Sequence, residues 1–311
     1  MEIFMWMLIL AVGLVLLVKG ADLFVGGASE LAARLGVTQL VIGLTVVAMG
    51  TSMPEAAVSI SAVVKGNADI TIGNVVGSNI LNILIILGLS AVIAPLAVSK
   101  STIRYELPFL TGVSILLILQ GLDGKISFAD GFVQVLFFGL YLAYLFISAG
   151  KNRAEKEEKA GNSAKRKVWQ IILICIIGLA MTVAGSSMAV DAACGIAEKL
   201  GMSERFIGLT IVALGTSLPE LVTSVTAAKK GKADIAIGNI VGSNIFNILF
   251  VVGISALIHP VAFVEDFRFD GAVSAAAALS LILFCARDKK LKRWQGVLLL
   301  AGYAAYFAAI L

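Results

Sequence analysis

Two stretches of the sequence, IGLTVVAMGTSMPE at residues 42–55 and IGLTIVALGTSLPE at residues 207–220, differ at only three positions. A second pair is as similar: GNADITIGNVVGSNILNIL at residues 66–84 and GKADIAIGNIVGSNIFNIL at residues 231–249. In both pairs the copies are 165 positions apart, and the same offset relates Pro95 to Pro260. A gapless offset over such lengths indicates an internal duplication.

The composition around these repeats indicates a membrane protein. Of the 311 residues, 59% are hydrophobic and 14% are charged, whereas about 25% are charged in an average soluble domain. Continuously apolar runs of about 20 residues, the length that crosses a bilayer as a helix, recur along the chain. They predict an all-α polytopic membrane protein with spans at residues 3–26, 37–64, 70–95, 103–121, 129–149, 168–190, 204–228, 235–258, 270–286 and 294–311. No basic residue precedes Lys19, so a retained first helix is expected rather than a cleaved signal peptide.

The number of spans in each copy predicts their relative orientation. Residues 1–149 form the first five-helix repeat, residues 150–167 a charged linker, and residues 168–311 the second repeat. Because five is odd, the second copy enters the membrane from the opposite side. The sequence therefore predicts inverted repeats related by an axis in the membrane plane, an arrangement in which transporters place substrate near the midplane on broken helices.

The basic residues predict which face is cytoplasmic. Of the 24 Lys and Arg residues, 18 lie in loops that follow odd-numbered spans, and five lie in the other loops. The positive-inside rule places the first set in the cytoplasm and both termini outside the cell or in the periplasm. The expected location, implied by the family resemblance described below, is a prokaryotic cell (inner) membrane. The net charge of +4 reflects this asymmetry, and no nucleic-acid partner or obligate protein partner is expected.

The motif GTSMPE places a carboxylate in the middle of an apolar span. Pro54 has no N–H, so a backbone carbonyl one turn earlier loses its helical partner, and Gly50 allows the helix to open there. Carbonyl oxygens, the hydroxyls of Thr51 and Ser52 and the Glu55 carboxylate can then converge. A carboxylate at midmembrane costs roughly 2.5–3.5 kcal/mol on insertion scales, and a bound cation would offset that cost. The second repeat contains the same motif, with Thr216, Ser217, Pro219 and Glu220.

The motif GNVVGSNILN supplies a polar stripe on the following span. Asn74, Ser78 and Asn82 are four residues apart and share one helix face. The copies in the second repeat are Asn239, Ser243 and Asn247. The competing interpretation is hydrogen bonding between helices, and for Asn74, Asn79, Asn239 and Asn244 the two interpretations are equally supported.

The donor set predicts the kind of ion. Two carboxylates and two freed carbonyls offer six hard oxygens, which suits Ca²⁺, and neighbouring hydroxyls and carbonyls suit Na⁺. Cys175, Cys194 and Cys285 are isolated, and His259 stands at a span end, so zinc or copper is not expected. No cofactor is expected.

These paired motifs resemble the two alpha-repeats of the calcium/cation antiporter superfamily, in particular its short prokaryotic sodium/calcium exchangers. The resemblance covers essentially the whole chain and implies a ten-helix antiporter that exchanges Na⁺ for Ca²⁺ by alternating access. It implies that Glu55 and Glu220 hold Ca²⁺ with the carbonyls of Thr51 and Thr216, and that Asn82 and Asn247 line the middle of the site. It further implies one Na⁺ site at Ser52, Ser78 and the Ala48 carbonyl, and another at Ser217, Ser243 and the Ala213 carbonyl.

Alternatives remain within and beyond this family. Potassium-dependent relatives carry Asp where this chain has Asn247, which disfavours K⁺ co-transport, and H⁺ stays open as a coupling ion. A cation channel fits broken inverted repeats less well. An intramembrane hydrolase lacks a base beside Ser52 or Ser217, so no enzyme activity is expected. Lys19 and Asp22, three residues apart, are expected to pair locally.

Overall fold

The computed structural model describes residues 2–66, 68–156, 166–200 and 213–310. Within these ranges the chain is helical apart from turns and four two-residue strands. The first repeat holds α1 (Glu2–Leu35), α2 (Gln39–Ile42), α3 (Ala48–Thr51), α4 (Met53–Val64), α5 (Asp69–Leu81), α6 (Gly88–Ile93), α7 (Leu107–Gln120) and α8 (Phe128–Lys156). The second holds α9 (Val168–Lys199), α10 (Ala213–Thr216), α11 (Leu218–Lys229), α12 (Ala233–Phe246), α13 (Gly253–Ile258), α14 (Asp266–Cys285) and α15 (Arg293–Ile310). The strands are β1 (Leu96–Ala97), β2 (Lys125–Ile126), β3 (Val261–Ala262) and β4 (Lys290–Leu291).

The helices of the described residues agree with the predicted spans. Seven are long and apolar enough to cross a membrane, and an eighth span consists of Gln39–Thr51 and Met53–Val64 with a bend of 48° between them. The last predicted span corresponds to α15, which has 18 residues. Residues 204–212 of the seventh predicted span lie outside the described ranges. Large apolar side chains such as Phe4, Phe146 and Leu283 are exposed, as expected for surfaces that face lipid.

In the described residues, four predicted spans contain an unpredicted change of helix type. π-helical turns occupy Gly43–Val47 in span 2, Asn82–Leu87 in span 3 and Asn247–Val252 in span 8, and a fourth at Thr102–Glu106 opens span 4. A π-turn adds a residue to the helical turn and shifts the faces that follow, and such turns are common at functional sites. In spans 3 and 8 the π-turn begins at Asn82 and Asn247, two of the predicted site residues.

The first helices of the two repeats pack closely along glycines. A Cβ at Gly20 would lie 2.5 Å from Thr182 N, and one at Gly178 would lie 2.6 Å from Phe24 N. Near the opposite end of the contact, a Cβ at Gly13 would lie 2.8 Å from Ala189 N. Successive residues along α1 therefore contact residues of decreasing number along α9, so the two helices are antiparallel. Small residues at such a seam let helix backbones approach in a membrane.

The short strands repeat the same symmetry. Leu96 pairs with Leu291 in the antiparallel pair β1–β4, and Ile126 pairs with Val261 in β2–β3. The offset of 165 residues relates Leu96 to Val261 and Ile126 to Leu291, so it converts the first pair into the second. Each strand pair therefore joins the two repeats, and the repeats are related by an approximate twofold axis as predicted.

Spans 3 and 8 form the centre of the protein. On α5, Ile72, Val75 and Ile80 are fully buried, and Ile240 and Val241 are fully buried on α12. The broken spans pack against these central helices: a Cβ at Gly242 on α12 would lie 2.6 Å from the Leu44 carbonyl oxygen of span 2. Polar groups on spans 2, 3 and 8 therefore meet in a region shielded from lipid.

Candidate ion-binding site

Both proline motifs break their helices at the same residue. Ser52 has φ −84° and ψ 6°, and Ser217 has φ −88° and ψ 3°. Each serine separates a short helix from the following one, whose first turn contains the proline and the glutamate. The helix N-terminus favours a negative charge through its unpaired N–H groups. The local sequence thus places each carboxylate at the start of a half-helix within the membrane, as predicted.

The two carboxylates are buried and are bound across the repeats. Glu55 is 1% exposed and Glu220 is fully buried. Ser217 Oγ donates to Glu55 Oε1 at 3.2 Å, and Ser52 Oγ donates to Glu220 Oε1 at 2.8 Å. In the described part of the chain neither carboxylate forms an ion pair with Lys or Arg. Two acidic groups therefore share one apolar region with no basic partner there.

Among the described residues, four carboxylate and amide oxygens of this region are buried and accept no hydrogen bond. They are Glu55 Oε2, Glu220 Oε2, Asn82 Oδ1 and Asn247 Oδ1. Leaving one buried acceptor unpaired costs roughly 1–3 kcal/mol, and more for a charged group. Two symmetric pairs of unpaired oxygens constitute an all-oxygen ligand set, and hard cations such as Ca²⁺ and Na⁺ take such ligands.

Asn74 and Asn239 hold the broken helices in place. Asn74 Nδ2 donates to Glu55 O at 3.2 Å and to Ser59 Oγ at 2.9 Å. Asn239 Nδ2 makes the same pair of contacts, at 3.5 Å to Glu220 O and 2.9 Å to Ser224 Oγ. For these two residues the structure shows bonding between helices, which was one of the two interpretations left open.

Four further asparagines join spans 3 and 8. Asn79 and Asn244 each donate to the other's backbone carbonyl, at 3.3 and 3.1 Å. Their own side-chain oxygens accept from Asn247 Nδ2 at 3.2 Å and from Asn82 Nδ2 at 2.8 Å, respectively. This ring uses the amide N–H groups of Asn82 and Asn247 and leaves their oxygens as the unpaired acceptors described above.

The hydroxyls beside each carboxylate come from both repeats. Ser243 Oγ donates to the Ala48 carbonyl at 3.3 Å, and Ser217 Oγ lies 3.4 Å from Ser78 Oγ. Serines of one repeat thus contact groups of the other repeat. The resemblance implied Na⁺ sites that group Ser52 with Ser78 and Ser217 with Ser243, and that grouping stays a prediction. The contacts between repeats arise from the twofold axis, which interleaves the broken span of one repeat with the polar stripe of the other.

Thr51, Thr216 and Ala213 lie at the ends of the short helices before the breaks. Thr51 is fully buried, and its hydroxyl lies 3.1 Å from the Val47 carbonyl and 3.0 Å from Asn239 Oδ1. The single proton of this hydroxyl is thus already donated within the protein. Ala213 and Thr216 are the first and last residues of α10.

A cavity on one membrane face reaches Pro54 and Thr216, next to the buried carboxylates. This cavity of about 460 Å³ lies between span 2 and α9, and its lining includes Pro54, Ser187, Asp191 and Thr216. Toward the other face Thr51, the counterpart of Thr216, is fully buried. There Lys230 Nζ lies 2.7 Å from Asp22 Oδ1, which ties α11 to α1. This ion pair gives Asp22 a different partner from the predicted Lys19. The open face is the one predicted to be external.

The sequence analysis missed two components of the site. The π-turns have no simple sequence signal, although the asparagines that open two of them were identified. The mutual bonds of Asn79 and Asn244 depend on how close spans 3 and 8 come, which a single helix pattern does not show.

A helical membrane protein with inverted repeats and an all-oxygen pocket between broken helices belongs to the class of secondary cation transporters.

The chain belongs to the sodium/calcium exchanger family. The sequence profile of that family, described as "Sodium/calcium exchanger protein", matches residues 5–147 and 170–311, one half of the chain each. A structure of the sodium-calcium exchanger NCX_Mj superimposes with a TM-score of 0.88 at 35% identity, over 99% of this chain and 100% of that one. The fold is thus the ten-span inverted-repeat fold, as predicted, and the protein is an integral membrane cation/Ca²⁺ antiporter, not an enzyme.

Curated relatives span the full length of the chain. The chain is 34% identical to the sodium/calcium exchanger MaX1 of Methanosarcina acetivorans, with 97% of each chain covered. It is 42% identical to a putative antiporter, CaxA, of Alkalimonas amylolytica, with 95% of each chain covered. It is 37% identical to the inner membrane protein YrbG of Escherichia coli, over 97% of this chain and 95% of the relative.

Proposed function

We propose that the protein exchanges Na⁺ for Ca²⁺ across a prokaryotic cell membrane by alternating access. The observation that carries the proposal is the symmetric set of four unpaired buried oxygens, on Glu55, Glu220, Asn82 and Asn247. A site with two formal negative charges and oxygen ligands alone suits Ca²⁺ in size, charge and hardness. That MaX1 is a sodium/calcium exchanger, and that structures of NCX_Mj were obtained after soaking with Na⁺ and Ca²⁺, supports the same ions here.

In this proposal the central site holds Ca²⁺ between the two glutamates, with the carbonyls of Thr51 and Thr216 as further ligands. Asn82 and Asn247 line the middle of the site. One Na⁺ lies with Ser52, Ser243 and the Ala48 carbonyl beside Glu220, and another lies with Ser217, Ser78 and the Ala213 carbonyl beside Glu55. The hydrogen bonds between the repeats support this grouping.

The exchange of one ion for the other follows because both ions use the same ligands. Ca²⁺ and Na⁺ compete for Glu55 and Glu220, so one species leaves as the other binds, and the loaded protein then exposes the site to the other face. The closed contact between Lys230 and Asp22 on one face and the cavity on the other support an outward-facing state. The basic loops support cytoplasmic placement of residues 150–167, external placement of both termini, and division into repeats 1–149 and 168–311.

The test of the proposal is Ca²⁺ uptake into vesicles that contain the purified protein. Vesicles loaded with Na⁺ and diluted into Na⁺-free medium should take up Ca²⁺, and vesicles with equal Na⁺ on both sides should not. Uptake driven equally well by a pH gradient with no Na⁺ present would replace Na⁺ by H⁺ as the coupling ion. Uptake without any counter-ion would indicate a channel.

A membrane voltage should bias the exchange. With one Na⁺ in each flanking site and a third in the central site, three Na⁺ replace one Ca²⁺, and each cycle moves one net positive charge. Such a charge is worth about 2.3 kcal/mol per 100 mV. A potential of 100 mV, positive inside, should therefore raise the equilibrium accumulation of Ca²⁺ against Na⁺ exit by about 40- to 50-fold. The measurement is Ca²⁺ accumulation in Na⁺-loaded vesicles whose potential is set with a potassium ionophore. Repeating it with a proton ionophore controls for a direct effect of K⁺, and uptake that ignores voltage would contradict the three-for-one cycle.

The outward-facing cavity should admit a water-soluble thiol reagent. Ser187 is exposed and lines the cavity. In a variant whose three native cysteines are replaced, Ser187→Cys should react with a membrane-impermeant reagent added outside the cell. Ala21→Cys is a buried control, because Ala21 on α1 is fully buried. Labelling of both positions from outside, or of neither, would show that this face is not the open one.

A further inference from the structure

The membrane face opposite the outward-facing cavity carries an ion pair between the two repeats. Lys230 directly follows α11, and its Nζ lies 2.7 Å from Asp22 Oδ1 and 2.8 Å from the Asp22 carbonyl oxygen. One turn further along α1, a Cβ at Gly26 would lie 3.9 Å from the same Nζ. The ammonium group therefore lies beside two positions of α1, residues 22 and 26, and a carboxylate at either position could bind it.

The offset of 165 residues identifies the counterparts of these groups in the other repeat. Lys230 corresponds to Lys65, and the two positions of α1 correspond to Ser187 and Asp191 on α9. Both repeats thus contain the lysine and one carboxylate. The carboxylate stands at the first of the two positions on α1 and at the second, one helical turn later, on α9.

The two lysines end their helices in the same way. Lys65 directly follows α4 and precedes Gly66, which has φ 83°. Lys230 directly follows α11 and precedes Gly231, which has φ 68°. Glycine in this conformation commonly ends a helix. The second half of each broken span therefore presents a lysine at an equivalent place, one at each face of the membrane.

Lys65 and Asp191 lie on the face that is open in this structure. Asp191 is exposed and lines the cavity between span 2 and α9, as does Val58 on α4. Lys65 is exposed and lies seven residues after Val58, so it stands on the same face of span 2, two turns nearer the membrane surface. Among the side chains that the structure describes, neither Lys65 nor Asp191 forms an ion pair.

We propose that Lys65 and Asp191 form the ion pair that closes the external face when the site opens to the cytoplasm. Inverted-repeat transporters alternate by moving one repeat or bundle against the other around a fixed site. Because a twofold axis relates the repeats here, we expect the state open to the other face to exchange their arrangements. Lys65 then takes the place beside α9 that Lys230 now takes beside α1, and Asp191 supplies the carboxylate. The proposal rests on the proposed function, since it assumes alternating access.

A short thiol cross-linker tests the contact directly. In a variant whose three native cysteines are replaced, Lys65→Cys and Asp191→Cys should be joined by a bis-methanethiosulfonate, whose spacer replaces the length of the lysine side chain. A protease site inserted within residues 150–167 separates the two halves on a gel unless the cross-link holds them, and a reductant should release them.

A matched pair and a change of state make the cross-linking decisive. Lys65→Cys with Met188→Cys should not cross-link, because Met188 Cβ packs 3.1 Å from the position of a Cβ at Gly13 on α1. Adding Asp22→Asn should raise the rate of the Lys65–Asp191 cross-link, since it removes the ion pair that holds the present state. No cross-link between positions 65 and 191, or equal cross-linking of both pairs, would overturn the proposal.

Substitution of the two acids should shift the balance of states in opposite directions. Asp22→Asn should slow the labelling of Val58→Cys by a membrane-impermeant thiol reagent outside, by up to about fivefold, the largest effect expected of an exposed ion pair. Adding Asp191→Asn should restore the rate, and adding Glu265→Gln, the matched external control, should not. Anionic and cationic reagents should agree, because a local effect of charge on the reagent would have opposite signs for the two. An unchanged rate in Asp22→Asn, or no recovery with Asp191→Asn, would contradict the paired roles.

These measurements separate the ion pair from the proposed function. A protein that exchanges Na⁺ for Ca²⁺ in vesicles but shows neither the cross-link nor the recovery would overturn the pair alone. A protein that shows both but does not exchange these ions would leave the pair standing and overturn Na⁺/Ca²⁺ exchange as its function.

Discussion

Glu220→Gln should abolish Ca²⁺ transport, and Glu55→Gln should do the same. Each substitution removes one of the two formal charges that face a bound Ca²⁺ while it keeps the size and shape of the side chain. Removing one partner of a buried charge pair costs roughly 3–5 kcal/mol, which corresponds to a loss of affinity of about 100-fold or more. The measurement is the initial rate of Na⁺-driven Ca²⁺ uptake in vesicles with equal amounts of each variant.

The control for this prediction is a carboxylate of the surface. Glu265 has 85% of its side chain exposed, and its Oε1 lies 3.2 Å from Arg268 Nη1. Exposed pairs of this kind contribute about 0–1 kcal/mol, so Glu265→Gln should transport at the normal rate. Elution of Glu220→Gln as the same species as the natural protein on size exclusion would separate loss of binding from loss of folding. Exchange near the normal rate in either site variant would refute the assignment of the glutamates.

Gly242→Ala should damage both stability and transport. The added Cβ would lie 2.6 Å from the Leu44 carbonyl oxygen, 2.7 Å from Ala48 Cβ and 2.8 Å from Leu44 Cα. Two of these three atoms belong to backbone, so spans 2 and 8 must separate to admit the methyl group. Overpacking of this kind costs typically 1–3 kcal/mol. The separation would also lengthen the 3.3 Å contact between Ser243 Oγ and the Ala48 carbonyl, and we therefore expect weaker Na⁺ dependence in the fraction that folds.

Gly139→Ala on α8 provides a matched substitution without the clash. Among the described residues no heavy atom lies within 4 Å of the position of its Cβ. Alanine favours a helix interior over glycine by about 1 kcal/mol, so this variant should be as stable as the natural protein or more so. Thermal unfolding in detergent and the Na⁺ dependence of Ca²⁺ uptake give the two readouts. A Gly242→Ala protein that matches Gly139→Ala in both would show that the seam between spans 2 and 8 tolerates expansion.

The sequence predicted best those features that depend on hydrogen bonding within one helix and on the number of spans. The offset of 165 residues and the odd number of spans predict inverted repeats, and Pro54 and Pro219 predict the breaks beside the two glutamates. These inferences need only the chain's own hydrogen bonding and the cost of polar groups in lipid. The bounds of α1 and α9 were less accurate, because the helices continue through Gly26 and Gly27 to Leu35 and through Gly195 to Lys199. A glycine inside a helix is tolerated, and α1 ends only before Gly36, which has φ 68°.

Contacts between the repeats were beyond the reach of the sequence pattern. That Ser217 binds Glu55 and Ser243 binds the Ala48 carbonyl follows from how the two halves interleave, which depends on the tilt and depth of spans 2, 3, 7 and 8. The pairing of Asp22 with Lys230 has the same origin. The Lys lies 208 positions away in the chain, and the local neighbour Lys19 was the only candidate that helix spacing offered.

The exchange of bonds between the two halves has a consequence for the origin of the protein. Each glutamate is held by a serine of the other half, both strand pairs join the halves, and α1 meets α9 at a glycine seam. A single five-span unit would therefore hold only one partner of each of these contacts, and two copies in opposite orientations would supply both. The present site has the form of an interface in an antiparallel homodimer. Joining the two copies in one chain fixes one copy in each orientation and lets their sequences differ, as at Glu106, whose counterpart is Gly271.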